Sequence, residues 1–152
     1  MGSNGDDVIK ASGFIFSLAG VAGIIAAPYW GKRGQKRGYV RTFALVTLLA
    51  GFINLFQIFV QDVYQFGVIQ FAYGLALAGA IPNINASLST VTDAKNRGKG
   101  FGLVTSAQQF GGVVGPLFGG FLGSMMHSSY VLVCTGCVLL CTSFYSYITR
   151  VR

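Results

Sequence analysis

The sequence predicts an all-α membrane protein, and three observations carry that prediction. Charged residues make up 10% of the chain and hydrophobic residues 53%, whereas soluble domains carry about 25% charged residues. The apolar residues fall in continuous runs close to the roughly 20 residues that a helix needs to cross a hydrocarbon core of about 30 Å. The basic residues are gathered between those runs. Lys32, Arg33, Lys36, Arg37 and Arg41 form one cluster, Lys95, Arg97 and Lys99 a second, and Arg150 and Arg152 close the chain. The net charge of +7 therefore reflects membrane topology. Nucleic-acid binding is excluded, because no helix or sheet face collects these cations into a groove.

Residues 1–10 are polar and glycine-containing and read as a flexible tail. They lack the basic start, short apolar stretch and cleavage site of a secretory signal. Five spans follow, at about 11–30, 42–60, 66–88, 101–123 and 130–148. Helices are favoured over strands because each run is long and shows no alternation of period two. Small residues recur at four-residue spacing, as helix packing in lipid requires. The first span carries Ala19, Gly23 and Ala27, and the fourth carries Gly111, Gly115 and Gly119. Pro116 and Pro82 each remove a backbone hydrogen bond and invite a bend. The fourth span should thus pack tightly and yet hinge.

The connections set the orientation. The first and third are basic, the second holds only Asp62, the fourth only His127, and the last residues are again basic. Positive loops stay cytoplasmic, so the amino terminus is expected outside and the carboxyl terminus inside, with Tyr29 and Trp30 at the cytoplasmic interface. An odd number of spans beginning outside reads as a truncated piece of a longer protein. Cys134, Cys137 and Cys141 lie in the last run with no histidine or acid beside them, and are expected to be buried small side chains rather than metal ligands.

The basic connection and the fourth span resemble the major facilitator superfamily. The family's loop pattern, G-x-L-x-D-R-x-G-R-R/K, is matched at Gly31, Lys36 and Gly38. Gln35 stands in the acidic position, Arg33 replaces the leucine, and Tyr39 and Val40 replace the basic pair. The pattern G-x8-G-x3-G-P-x2-G-G of drug–proton antiporters is filled at every fixed position by Gly102, Gly111, Gly115, Pro116, Gly119 and Gly120. In the third span Gln70 stands where the family's fourth helix has arginine, followed by Gly74. The stretches Ile81–Ala86 and Arg97–Gly102 are similar to the tenth-to-eleventh helix region of bacterial multidrug efflux members.

This resemblance implies five transmembrane helices of a six-helix half-bundle, the eighth to twelfth helices of the carboxyl-terminal half. It implies a multi-pass protein of the plasma membrane, with the lipid bilayer, a hydrophobic small molecule and the missing amino-terminal half as partners. It further implies a conformational role for the loop motif Gly31, Gln35, Lys36 and Gly38, and a hinge at the glycine–proline motif. Because the eighth, tenth and eleventh helices of the family border the central cavity, Gln70 and Gln108 are the leading cavity residues, with Tyr73 and Phe14 as aromatic contacts.

The residues themselves add two constraints. No acid lies inside a span, so this segment is not expected to hold the carboxylate that carries a coupled proton. No nucleophile, base and acid are arranged together, so neither enzymatic activity nor a cofactor is expected. The competing reading of the glutamines is that they bond across helices without touching substrate. Two other functions compete as well: a non-transporting scaffold or subunit, and a transporter of sugars or other metabolites.

Overall fold

The computed structural model describes residues 5–60, 62–125 and 128–151. They form six α-helices and one short 3-10 turn. The helices are α1 (Gly5–Arg37), α2 (Tyr39–Phe56), α3 (Val63–Leu77), α4 (Ala80–Val91), α5 (Arg97–Met125) and α6 (Ser128–Val151), and the 3-10 turn, Gln57–Phe59, follows α2. The all-α architecture is as the run lengths predicted. Four stretches are long and apolar enough to cross a membrane: Gly13–Arg37, Tyr39–Phe59, Tyr64–Val91 and Tyr130–Thr149. The fifth expected span, α5, is long enough at 29 residues. Its glycines, Gln108 and Gln109 lower its hydropathy below that of the other four.

The boundaries differ from the sequence expectation in three places. First, the helix begins at Gly5, so residues 5–10, expected in a tail, form its opening turns. Nothing between them and the first span, proline included, halts helix propagation. Residues 1–4 and His127 lie outside the described residues. Second, the basic connection is not a loop. α1 continues through Lys32, Arg33, Lys36 and Arg37 and runs for 33 residues, about 50 Å at 1.5 Å per residue. The chain then reverses at one residue, Gly38, whose φ of 94° is open to glycine and costly for other residues. The amide of Gly38 donates to Gly34 O at 2.9 Å, and its carbonyl accepts from the amide and hydroxyl of Thr42 at 3.1 and 3.0 Å. Third, the single expected span at 66–88 is two helices. Pro82 sits in the first turn of α4, where its missing N–H costs little. Its ring opposes the carbonyl four residues back, and the helix breaks there, at Ala78–Gly79.

The interior is small and polar rather than bulky. Its buried members include Ala22, Ala26, Ala44, Ala50 and Ala76 together with Thr42, Thr47, Asn54, Gln57, Asn83 and Ser143. Large apolar side chains such as Ile24, Phe52, Val68 and Phe144 point outward. In water such a surface would be an aggregation hazard. In lipid it is the expected arrangement, because hydrocarbon gives no reward for hiding leucine and helices associate through close contact and interhelical hydrogen bonds.

The central helix is α2. Its most extensive partner is α6, and that seam shows both devices. A Cβ on Gly51 would stand 3.0 Å from Leu140, and one on Gly136 would stand 2.6 Å from Leu55 Cδ2. Across the same seam, Asn54 Nδ2 donates to Leu132 O at 2.8 Å, and Ser143 Oγ donates to Ala44 O at 2.6 Å. The other main seam joins α1 to α3, where a Cβ on Gly74 would meet Ala19 O at 2.9 Å. The three cysteines, expected to be buried, are exposed on α6. They occupy the helix face opposite Gly136 and Ser143, which α2 has already covered.

Candidate functional site

The sequence-predicted cavity residues fall on three helices: Phe14 on α1, Gln70 and Tyr73 on α3, and Gln108 on α5. Gln70, on α3, accepts a hydrogen bond from Gln57 Nε2 at 2.9 Å. Gln57 is buried in the 3-10 turn after α2, so the bond ties the middle of α3 to the end of α2. Tyr73 follows one turn later and is half-buried. Phe14 on α1 is 67% exposed. It precedes Ile15, which lies 3.6 Å from the Cβ position of Gly67, so Phe14 belongs to the level of α3 that holds Gln70. Gln70 and Tyr73 are thus one turn apart on α3, and Phe14 is on the adjoining helix with its side chain exposed. Gln108 does not join them. It is exposed on α5, whose main contacts are with α4 and α6.

The glycine–proline helix departs from expectation in its surroundings. α5 has no buried residue, and a Cβ placed on Gly102, Gly111, Gly115, Gly119 or Gly120 would meet nothing within 4 Å. Tight packing of this track is therefore absent among the described residues. Pro116 lies within α5 without interrupting it.

The best-defined local structure is one the sequence reading did not assemble. Trp30, expected at the membrane interface, is buried at 8% exposure, and its indole Nε1 donates to Leu75 O at 2.8 Å. That carbonyl lies at the break between α3 and α4, where the regular helical acceptor pattern fails. The indole approaches so closely that a Cβ on Gly79 would lie 2.6 Å from Trp30 Cγ and 2.9 Å from Val46 Cγ2. One turn on, Asn83 Nδ2 donates to Gly79 O at 2.7 Å and to Trp30 O at 3.4 Å. Among the described residues Asn83 Oδ1 has no hydrogen-bond partner, and it abuts Gly34, where a Cβ would overlap it. The guanidinium of Arg33 lies 5.9 Å from the Trp30 ring centroid, within reach of a cation–π attraction. The loop motif and the α3–α4 break are thus one packed joint. The signal in the sequence was the row Gly31, Gly34, Gly38, at three- and four-residue spacing, followed by a glycine just before Ile81-Pro82.

Two clefts accompany these sites. One of about 430 Å3 lies between the end of α2 and the start of α3, lined by Phe56, Phe59, Tyr64 and Val68 among others. A second, of about 220 Å3, opens between the start of α2, α4 and the early turns of α5.

Comparison with known proteins adds the context for this geometry. The Major Facilitator Superfamily family model matches residues 9–152. An uncharacterized MFS-type transporter, YuxJ of Bacillus subtilis, is 32% identical over 87% of this chain and 33% of its own length. The multidrug resistance protein MdtG of Erwinia billingiae is 32% identical over 93% of this chain and 34% of its own length. The MdtG of Dickeya zeae is 28% identical over 97% of this chain and 36% of its own length. The chain spans about a third of the length of these relatives. No solved structure matches it significantly.

Proposed function

The chain belongs to the Major Facilitator Superfamily, and from that premise we propose that it forms one wall of an alternating-access cavity in a secondary active efflux transporter. The cargo is a hydrophobic or amphipathic compound, and transport is proton-coupled in the full-length protein. The chain acts as a carrier and catalyses no covalent chemistry. It lies in the plasma membrane with its amino terminus outside and the basic ends of its helices in the cytoplasm.

The observation that carries this reading is the contrast of α5 with the rest of the bundle. A helix matching the antiporter pattern at every fixed position presents each glycine of that pattern to open space among the described residues, as a helix does whose partners lie in a further part of the transporter. The names of the MdtG relatives support efflux of drug-like compounds. Gln70, Tyr73 and Phe14 would face the cargo from the α1–α3 side and Gln108 from α5. An apolar wall with a few amides suits an apolar cargo, because desolvation supplies attraction without fixed direction. The coupling carboxylate would lie in the remainder of the protein.

The test is proton-driven flux of a hydrophobic dye in proteoliposomes that contain this chain together with the remaining two thirds of the transporter. Flux that falls on Gln70→Leu and on Gln108→Leu supports the cavity assignment. Absence of flux with both parts folded overturns the transport reading. Undiminished flux in both variants reduces these glutamines to helix-bonding roles.

A further inference from the structure

We propose that the cleft between α2, α4 and α5 is a binding site for an anionic phospholipid, with an acyl chain in the cleft and the headgroup phosphate on the arginines at its mouth. The walls are mostly apolar, with Asn83 and Ser87 of α4 the polar members. Val40 and Phe43 come from α2, Ile84 and Leu88 from α4, and Val104 from α5. The space of about 220 Å3 is suited to a stretch of hydrocarbon chain and too small for a folded partner or a helix.

The position of the mouth follows from the helices. Val40 is in the first turn of α2, and Arg41 beside it is exposed. On α5, Arg97, Gly100 and Val104 recur at three- and four-residue spacing and share one face. Gly100 packs on Leu88, at 3.3 Å from a Cβ position, so this face looks at α4. Arg97 is already held there, since its Nη2 donates to Ser89 O at 3.3 Å. Arg97 therefore stands over the end of α4 beside the apolar slot, and Arg41 follows the lining residue Val40 in the first turn of α2. Lys36, Arg37 and Lys99 are exposed nearby in the chain, and Asp93 is the one acid in that connection.

A hydrocarbon slot with arginines at the same end of the membrane-spanning helices matches a phospholipid in both its parts. A guanidinium binds phosphate in a fixed, bidentate geometry, and a basic residue at a membrane surface enriches anionic lipid. A zwitterionic headgroup offers the same phosphate with a compensating cation, so headgroup charge is the discriminating variable. This inference needs the membrane placement of the helices but not the transport reading.

Trp30, the one tryptophan of the chain, reports on the site. Its carbonyl is 3.4 Å from Asn83 Nδ2, Asn83 lines the cleft, and its ring is shielded from bulk lipid. The full chain is placed in bilayers of unlabelled phosphatidylcholine. Phosphatidylglycerol or phosphatidylcholine brominated in the upper acyl chain is then added at equal mole fraction, and Trp30 emission is recorded.

The expected result is quenching at a mole fraction at least about fivefold lower for phosphatidylglycerol, the preference that about one basic contact supplies. That preference should shrink as salt is raised and vanish in Arg41→Gln/Arg97→Gln. Ser87→Phe, which fills the cleft, should reduce quenching by both lipids. Lys32→Gln, about 200° around α1 from the packed Gly34, should leave the preference intact. Soluble glycerol phosphate should not compete. Competition by it would overturn the acyl-chain part of the site. Equal quenching by the two lipids, or equal loss in Lys32→Gln and the arginine variant, would reduce the effect to ordinary boundary lipid and overturn the proposal. The wild-type comparison decides this even if a variant fails to fold, and an unshifted Trp30 emission maximum in unbrominated lipid certifies those that do.

Discussion

The joint around Trp30 and the helix α5 are both built on glycine, and they use it in opposite ways. At the joint, Gly34 and Gly79 each hold a place where a single added carbon would strike a neighbour, Asn83 and Trp30 respectively. On α5, a Cβ on Gly102, Gly111, Gly112, Gly115, Gly119, Gly120 or Gly123 would meet nothing within 4 Å. A small residue in a membrane helix is therefore not itself a contact. It permits one, and the permission is used only where a second helix arrives. Glycine in a helix costs about 1 kcal/mol relative to alanine. That cost is offset at the joint by close approach, whereas on α5 nothing within the described chain offsets it.

The largest effect should come from enlarging a used glycine. Gly79→Val places side-chain carbons where Trp30 and Val46 already stand, at 2.6 to 2.9 Å from the first carbon alone. The backbone at Gly79 is ordinary, with φ −81° and ψ −12°, so the penalty is one of packing and not of conformation. We expect a loss of about 3 kcal/mol, read as a lowered unfolding midpoint in detergent. Trp30→Ala in the same chain should recover part of it. A midpoint unchanged in Gly79→Val would show that the Trp30 joint is not formed in the membrane.

The joint was only partly legible in the sequence, and its parts fail for different reasons. Run length pointed to the all-α membrane class, because a bilayer sets the length of a helix directly. The loop motif identified Gly38, whose positive φ is a local backbone requirement that a local pattern can encode. Gly34 stands at a freely varying position of that motif, and its partner Asn83 is 49 residues away in sequence. No local pattern can signal a contact of that separation. Trp30 was placed at the interface by residue type, since an indole at a span end often sits in headgroups. Its burial depends on Gly79 leaving a hollow, which becomes visible only when the α3–α4 break is in place. On the α1–α3 side, Gln70 was picked out as polar at depth, but its bond to Gln57 depends on how the 3-10 turn after α2 meets α3.

A smaller effect should follow from cutting the polar contacts of the joint while leaving its shape. Trp30→Phe removes the donor to Leu75 O, and Asn83→Leu removes the donors to Gly79 O and Trp30 O. Each should cost about 1 kcal/mol. Asn83→Leu should be the milder of the pair for its size, because it also removes the unpartnered Oδ1. If Asn83→Leu were far more damaging than Trp30→Phe, Oδ1 would have to be satisfied by a group outside the described residues.

Smaller still is the Gln57–Gln70 bond. A double-mutant cycle with Gln57→Leu and Gln70→Leu should give a coupling of about 0.6 kcal/mol, the average for such bonds between membrane helices. A coupling near zero would leave Gln70 free to face a cargo, and the same variants assayed for flux separate a structural role from a transport role.

The smallest effect is the one that sharpens the contrast most. Gly115→Ala on α5 adds a carbon to open space and replaces the poorer helix former with the best one. In this chain it should be neutral or stabilising by up to about 1 kcal/mol, measured as the unfolding midpoint beside Gly136→Ala. In Gly136→Ala the added carbon meets Leu55 at 2.6 Å and should cost about 1 kcal/mol. The opposite signs follow from the same chemical change at two glycines in one bundle. Should Gly115→Ala prove as costly as Gly136→Ala, α5 must be packed in the membrane, by a neighbour or by a second copy. On the proposed transport reading such a cost is the expected outcome in the full-length protein, because the glycine track would there meet further helices.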